Sequence, residues 1–321
     1  MSCWKELERR ERADIVSRLE NPTDGQPRVS FREFCNLLVY NGLTHVRGYF
    51  HYTTWGRLGK ILKRTKVESG EERILFCLSS TADLNDTAEN SVEAYVASFS
   101  FGEEEEVAMW TNYGVPKPEA IRIRFPKSAI TAWVRENPPE KIKVYKGKPS
   151  GDFVLLEQEE VLDARFVDVA YYGRNRTNEK ESISDGVIYK GNRCSFREKK
   201  WRGALLESCP EAALLFKKRG WAYEREVRLV VRLKHPLPPK MKIALDFTSL
   251  FEAVLADQAN CLMVGPWFDP RNFPLSDIAC IDLNKVAKSC FMGELNMRSN
   301  CDACKGRTKT NCRCPYRPKD I

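Results

Sequence analysis

The sequence predicts an α+β fold, in which strands and helices do not alternate regularly along the chain. Short segments with apolar and polar residues in alternation recur, and the segment 120–125 shows this period of two most clearly. Few helical patterns lie between these segments, whereas a doubly wound sheet requires a crossover helix between its parallel strands. The length of 321 residues suits one large domain or two smaller ones.

The predicted elements can be justified in chain order. Residues 3–20 form a highly charged helical pattern, and Ser30 begins a second helix that Asn41 and Gly42 end. A strand at 48–54 ends in two threonines, and either threonine can cap the helix that follows. The remaining predicted elements are strands at 74–80, 95–101, 120–125, 167–172 and 261–266, helices at 204–218 and 250–259, and an irregular connection at 174–203.

Composition and charge are those of an ordinary globular protein, with 42% hydrophobic and 30% charged residues. The 52 basic residues exceed the 44 acidic ones, and the formal charge of +8 is compatible with an anionic partner. No apolar run approaches the roughly 18 residues that span a membrane, and the first residues lack the apolar core of a secretory signal. We therefore expect a cytoplasmic protein without a membrane partner, whose twelve cysteines are reduced thiols or metal ligands.

The most informative segment is 221–230, which alternates as a strand would. In such a strand Glu224, Glu226 and Arg228 share one face, within a run that ends in apolar residues. Burial of two carboxylates and a guanidinium is costly unless each is paired, so this segment is the first candidate for a site. The alternative is a ladder of arginine and glutamate on a solvated edge strand.

Two further segments carry polar residues at predicted strand ends. His51, with Tyr52 and Thr53 after it, lies where a strand meets a helix, and its ring can donate a hydrogen bond to a ribose hydroxyl or a carboxamide oxygen. Ser79 ends the next predicted strand and Asn85 follows it, although such residues also form turns. A structural role explains each segment alone, and their occurrence together in this order favours a site.

These three segments, with Trp110 and Tyr113, resemble a mostly bacterial family of unknown function. Its members read Y-H-Y-T-S, then F-N-D, then M-W-x-x-Y, then W-x-Y-E-x-E-W-R, and the similarity covers roughly residues 48–270. This sequence departs from the pattern after Ser80 and at Val227, which replaces the tryptophan of the last motif. The family in turn resembles the ADP-ribosyltransferase superfamily, in which a split β-sheet surrounds NAD.

The resemblance implies an NAD-dependent ADP-ribosyltransferase that transfers ADP-ribose to a nucleic acid or protein acceptor, in a toxin or phage-defence setting. It implies Glu226 as the carboxylate on the ribose 2′-hydroxyl, Glu224 as the group that orients or deprotonates the acceptor, and His51 as a contact to ribose or carboxamide. The nicotinamide–ribose bond breaks through an oxocarbenium-like state, which a carboxylate stabilises. The implied NAD-binding residues are His51, Tyr52, Thr53, Ser79, Asn85, Trp110 and Tyr113, with one of the last two stacked on nicotinamide.

Four cysteines lie close together near the end of the sequence, as C-x2-C-x7-C-x-C: Cys301, Cys304, Cys312 and Cys314. Four thiolates can close a tetrahedral zinc site, although the C-x-C half is less usual for one ion. The alternative is a disordered tail with incidental cysteines, and the basic residues around them can contact nucleic acid phosphates. The sequence thus divides into an N-terminal helical segment (1–47), a catalytic domain (48–290) and a cysteine-rich tail (291–321).

Three other interpretations stay open at this point. An NAD glycohydrolase would use the same site with water as the acceptor. A non-catalytic nucleic-acid-binding protein would use the basic surface and the tail. A catalytically dead scaffold is disfavoured by the paired glutamates, because apolar residues stabilise an unused buried face better than carboxylates do.

Overall fold

The computed structural model describes residues 14–15, 17–19, 29–36, 48–83, 92–101, 105–138, 140–148, 152–172, 174–175, 178–181, 205–207, 209–235, 237–238, 241–269 and 278–291. Its strands are β1 (Gly48–Thr54), β2 (Thr65–Lys66), β3 (Glu72–Arg73), β4 (Leu75–Ser80), β5 (Tyr95–Ser100), β6 (Ala120–Pro126), β7 (Val144–Gly147), β8 (Phe153–Leu155), β9 (Val161–Asp168), β10 (Ala170–Tyr172), β11 (Arg174–Asn175), β12 (Asn178–Glu181), β13 (Phe216–Lys218), β14 (Glu226–Leu233), β15 (Ile243–Asp246), β16 (Leu262–Val264) and β17 (Ala287–Lys288). Its helices are α1 (Trp55–Leu62), α2 (Val107–Tyr113), α3 (Lys127–Glu136), α4 (Thr248–Ala256) and α5 (Gln258–Cys261). Residues 31–36 are also helical, after Ser30 as the sequence predicts.

A large mixed sheet organises the chain, in agreement with the predicted α+β class. Its strand order is β17-β16-β6-β1-β5-β4-β15-β7-β8, and β14 joins β5 to β9 beside this path. Most neighbours are antiparallel, whereas β16 and β17 are parallel. The sheet therefore branches at β5, which contacts β1, β4 and β14.

The branching leaves a gap on one edge of β5. Along its other edge β5 pairs with β14 over its whole length, from Glu226 opposite Ser100 to Val231 opposite Tyr95. On the gapped edge β4 pairs only with the first two residues of β5, and β1 pairs only with the last. Within the described residues, the middle of that edge (97–99) thus has no strand partner, and β1 and β4 separate on either side of it.

Apolar side chains pack on both faces of β14 because its residues alternate between them. Val227, Leu229 and Val231 face a core that contains Phe166 and many other aromatic residues of the sheet and of the segment before α4. Val230 faces a second core formed with the N-terminal residues and the segment before β13. Glu226 and Arg228 share that second face with Val230, so these two charges are enclosed in an otherwise apolar layer.

The helix α1 follows β1 without a loop, as the sequence predicts. Thr54 caps it, since the Thr54 hydroxyl accepts a hydrogen bond from the Arg57 amide at 3.3 Å. Leu58 and Leu62 are buried one turn apart, which fixes the inner side of the helix. Arg57 and Lys60 consequently lie on its exposed side.

Four predicted elements differ in the structure, one of which is the strand predicted at 167–172: Val169 separates its residues into the end of β9 and the strand β10. The strand predicted at 221–230 begins only at Glu226, because Arg219–Glu224 forms a 3-10 turn and Arg225 has a φ of 44°. Among the described residues of the helix predicted at 204–218, the α-helical ones are 205–207, since Pro210 lacks an amide hydrogen and disfavours helix in the residue before it. A 3-10 turn and β13 follow. The helix predicted at 250–259 is divided at Asp257 into α4 and α5.

Part of the connection predicted as irregular, 174–203, contains the short pair β11 and β12, and the rest lies outside the described residues. None of the helices in the described ranges is long and apolar enough to cross a membrane.

Candidate active site

A cavity of about 830 Å³ opens at the gap between β1 and β4. Its floor is the unpaired middle of β5, including Ser98, and its walls come from β1, β4, α1, α2 and the start of β14. The volume lies within the roughly 300–1,000 Å³ that small-molecule sites occupy. Both Glu224 and Glu226 line this cavity, together with His51, Ser79 and Tyr113.

The two glutamates converge although they do not share a strand. Glu224 ends the 3-10 turn before β14 and Glu226 is the first residue of β14, so the intervening Arg225, at a φ of 44°, turns the chain between them. The ammonium of Lys217 joins the two carboxylates, since its Nζ lies 2.8 Å from Glu224 Oε2 and 2.7 Å from Glu226 Oε2. Both glutamates are only 2% exposed.

Glu226 is held on all sides. The Arg228 guanidinium donates from Nε to Glu226 Oε1 at 2.6 Å and from Nη2 to Oε2 at 3.2 Å. The Ser98 hydroxyl donates to Oε1 at 2.5 Å, and the Glu226 amide donates to the Tyr171 hydroxyl at 2.8 Å. The two bonds from Arg228, the bond from Ser98 and the contact with Lys217 fill about four acceptor positions, which is the capacity of a carboxylate.

Glu224 keeps more of its hydrogen-bonding capacity. Its Oε1 accepts a short hydrogen bond from the Tyr113 hydroxyl, and its Oε2 accepts from Lys217. Each oxygen therefore has one protein donor among the described residues, and a ligand on the cavity side can use the remaining acceptor positions.

The same environment separates the pKa values of the two glutamates. Burial alone would raise the pKa of Glu226, but the charges of Arg228 and Lys217 outweigh it and lower the pKa to about 2. Burial also raises the pKa of Glu224, Lys217 opposes this, the Glu226 charge adds to it, and the resulting pKa lies above the usual range. Two neighbouring carboxyl groups with pKa values pushed apart are suited to different tasks in one reaction.

His51 lies in the gap between the strands and closes part of it. Its Nδ1 is 3.1 Å from the Ser98 carbonyl oxygen, which can only accept, so Nδ1 carries the hydrogen. Burial lowers the pKa of His51 and nearby Arg57 lowers it further, against the effect of the Ser98 carbonyl, so the ring is neutral at pH 7. Its Nε2 is then an acceptor. The predicted role of His51 as a hydrogen-bond donor to the ligand is therefore changed. Its Nε2 can accept a hydrogen bond from a ribose hydroxyl but cannot donate one to a carboxamide oxygen.

The other predicted site residues differ in their distance from the cavity. Ser79 is exposed on β4 and lines the cavity, as do the largely buried Tyr52 and Thr53. Tyr113 is 36% exposed and also lines it. Trp110 does not line it: the indole is fully buried, donates to Glu105 Oε2 at 3.0 Å and packs edge-on against Tyr52. Of the two aromatic residues predicted to stack on a ligand, only Tyr113 can therefore reach one in this cavity.

Several residues at the site escaped the sequence analysis. Lys217 lies in a segment that the sequence pattern assigns to a helix, and its link to the glutamates depends on the parallel pairing of β13 with β10. Ser98 lies on a correctly predicted strand, but its contact with Glu226 depends on the register between β5 and β14. Three exposed cations also line the cavity and lacked any signal in the sequence: Arg57, Lys60 and Lys242.

Some predicted ligands fall outside the described residues. Asn85 is one of them, and so are all four cysteines of the predicted zinc site: Cys301, Cys304, Cys312 and Cys314. In the ranges that the structure describes, no group of three or more His, Cys, Asp or Glu side chains is arranged to hold a metal ion. The zinc site stays a prediction.

Comparisons with known proteins add no family to this description. No family model matches the chain, and no curated protein or solved structure is similar to it.

Proposed function

We propose that this protein is an NAD-dependent ADP-ribosyltransferase whose active site is the cavity at the gap in the sheet. The observation that carries the proposal is the convergence of Glu224 and Glu226 on one cavity wall with Lys217 between them. His51 and Ser79, which the sequence assigns to the same site from two other strands, line the same cavity. The sheet that divides around this cavity supports the split-sheet fold implied by the resemblance.

In the proposed reaction the bond between ribose C1′ and the nicotinamide nitrogen breaks heterolytically. Nicotinamide leaves with the bonding electron pair as a neutral molecule, and positive charge develops on the ribose. An ionised carboxylate on the 2′-hydroxyl binds this state more tightly than the ground state. Glu226 suits this role because its low pKa keeps it charged throughout the physiological range.

The second half of the reaction forms a bond between C1′ and the acceptor. The acceptor atom attacks the ribose and loses a proton, and Glu224 takes that proton as the general base. A pKa above the usual range for glutamate makes Glu224 a better proton acceptor than an exposed glutamate would be. The Tyr113 hydroxyl and Lys217 hold the carboxylate of Glu224 toward the cavity.

A ligand hydroxyl reaches Glu226 only by replacing one of its present donors. Arg228 is 1% exposed and Lys217 is 12% exposed, whereas Ser98 is exposed to the cavity. The Ser98 hydroxyl is therefore the donor that a ribose 2′-hydroxyl replaces most easily. This exchange keeps the number of hydrogen bonds to Glu226 constant, so it costs little free energy.

The other parts of the proposal follow the sequence. The acceptor is a nucleic acid or a protein, and the cysteine-rich tail binds zinc. We place the reaction in the cytoplasm, in a toxin or phage-defence setting, and the free thiols of the described cysteines are those expected in a reducing compartment.

The test is nicotinamide release from NAD by the purified full-length protein. Wild type is compared with Glu226→Gln and with a control, Glu252→Gln, whose carboxylate pairs with Arg64 on the exposed surface. RNA, DNA and cell lysate are added in separate arms. We expect release that falls by about 100-fold or more in Glu226→Gln, stays unchanged in the control, and rises with one acceptor.

Other outcomes identify the alternatives. Release that depends on Glu226 but on no acceptor would show an NAD glycohydrolase. If NAD is neither cleaved nor bound in any arm, the enzyme proposal is wrong. The charged side chains of Glu224, Glu226, Lys217 and Arg228 are then a structural ion-pair cluster.

A further inference from the structure

Exposed apolar side chains concentrate beside the glutamates. The described residues include six large hydrophobic side chains that are exposed, and three of these lie around Glu224: Tyr113 at 36%, Val115 at 53% and Trp221 at 40%. We call the two aromatic residues Tyr113 and Trp221, together with the aliphatic Val115, the aromatic rim. Large exposed apolar groups that cluster in this way mark a binding surface, whereas scattered ones do not.

Two residues of the aromatic rim contact the charged groups of the site: the Tyr113 hydroxyl donates to Glu224 Oε1, and Trp221 lies beside Lys217. Trp221 belongs to the turn that ends in Glu224, and its ring lies 5.7 Å from the Nζ of Lys217. The same turn is fixed to α2 by a hydrogen bond of 2.9 Å from the Asn112 amide to the Tyr223 hydroxyl. The exposed face of Trp221 is therefore held close to the group that would deprotonate the acceptor.

A second group of residues, which lines the cavity, is basic. Arg57 and Lys60 are three residues apart on α1, so they lie on one side of that helix, and Lys242 precedes β15 next to β4. We call these three residues the basic rim. In the described part of the chain none of them forms an ion pair, whereas neighbouring Arg64 and Arg73 do. Among the residues that the structure describes, the two glutamates are the acidic residues that line the cavity.

We propose that the acceptor is a single-stranded nucleic acid that binds across this cavity, with one base stacked on Trp221 and its phosphates on the basic rim. An exposed indole offers a stacking face to any base, and unpaired cations nearby attract the backbone. A base inside a duplex cannot reach the buried carboxylates, which is why the strand must be single. The inference rests on the proposed function only in calling this surface the acceptor side.

A protein acceptor fits the surface less well. A protein acceptor would have to bury apolar side chains against the aromatic rim and to place acidic groups beside the three cations of the basic rim at once. A nucleic acid supplies the planar apolar group and the regularly spaced negative charges together. Protein acceptance is therefore an outcome that the test separates.

The experiment measures binding of fluorescein-labelled single-stranded RNA and DNA by anisotropy over a range of salt concentrations. Full-length protein is used throughout, so the basic residues of the tail contribute equally to every variant. Trp221→Ala should weaken binding roughly 5- to 150-fold, the loss of one stacked base, and Trp221→Phe should retain most of it. Leu162→Ala is the matched control, because Leu162 is 52% exposed and lies at the end of β9 that pairs with Arg232 and Leu233, at the far end of β14 from Glu226.

The basic rim has its own readout. Arg57→Gln with Lys60→Gln should lower the slope of log Kd against log salt by about 1.4, since each phosphate contact to a single strand contributes about 0.7. Lys141→Gln with Lys285→Gln removes two exposed cations that do not line the cavity and should leave that slope largely unchanged.

Three results would overturn the proposal. Wild type that binds no single strand would do so, as would equal binding by Trp221→Ala and Leu162→Ala. The third is a basic-rim variant with a raised KM for NAD and unchanged oligonucleotide binding, because the phosphates would then belong to the dinucleotide. If binding depends on both rims but NAD is not cleaved, the proposed enzyme function fails and the nucleic-acid surface stands.

Discussion

Glu226 should give the free energy of unfolding a steep dependence on pH in the acidic range. Its pKa is about 2 in the folded protein against an ordinary 4.5, because the charges of Arg228 and Lys217 outweigh the opposing effect of burial. A carboxylate with a lowered folded pKa stabilises the protein above its unfolded pKa, and this stability is lost as pH falls toward the folded value. The gap between the two values corresponds to about 3 kcal/mol at neutral pH, of which about 1.4 kcal/mol is lost by about pH 3.5.

The assay is urea unfolding, followed by tryptophan fluorescence, at neutral pH and at about pH 3.5. We expect the excess stability of wild type over Glu226→Gln to shrink by about 1.4 kcal/mol between these conditions, while titrating groups that do not interact with Glu226 cancel in the comparison. The control Glu252→Gln removes a carboxylate that is 56% exposed, and its difference from wild type should stay within about 0.5 kcal/mol at both pH values. A pH-independent difference between wild type and Glu226→Gln would refute the assignment of Glu226 as a buried, ionised carboxylate.

Two further variants test how the glutamates are held. Lys217→Met should raise the pKa of both carboxyl groups, because the cation that they share is lost, and should move the acidic limb of the pH profile of NAD cleavage to higher pH. Lys217→Arg should restore part of the wild-type profile. An acidic limb that does not move in Lys217→Met would exclude a positioning role for Lys217. Ser98→Ala should keep kcat/KM within about tenfold of wild type, since the proposed ligand hydroxyl replaces the serine donor on Glu226. Steady-state kinetics measure this effect, and a loss as large as that in Glu226→Gln would make Ser98 part of the machinery instead.

The sequence predicts those elements whose pattern has a single cause. β6 alternates because one face is buried throughout, and α1 begins at a threonine cap and buries leucines one turn apart. The strand predicted at 221–230 starts too early because its alternation has two causes. From Glu226 onward it reflects a sheet, whereas Glu224 is buried by contacts with Lys217 and Tyr113 in a turn.

The site is only partly predictable for a related reason. Glu224 and Glu226 are visible in the sequence, since buried charges in an apolar run are conspicuous. Lys217 and Ser98 reach them through strand pairings between distant parts of the chain, and a single sequence gives no information on such registers. A positive φ at Arg225 is also unexpected, because arginine rarely adopts that conformation.

Stability alone does not explain the cluster of Glu224, Glu226, Lys217 and Arg228. Two negative and two positive charges cancel, and removal of one partner should cost about 3–5 kcal/mol, yet apolar residues of similar volume generally stabilise a buried layer at least as well as an ion pair does. A purely structural cluster would also be expected within a closed core. Here both carboxylates line an open cavity at the gap in the sheet, and neutral His51 presents an acceptor to the same space. Charges that are costly to bury and yet open to a ligand are the arrangement on which the proposed chemistry rests.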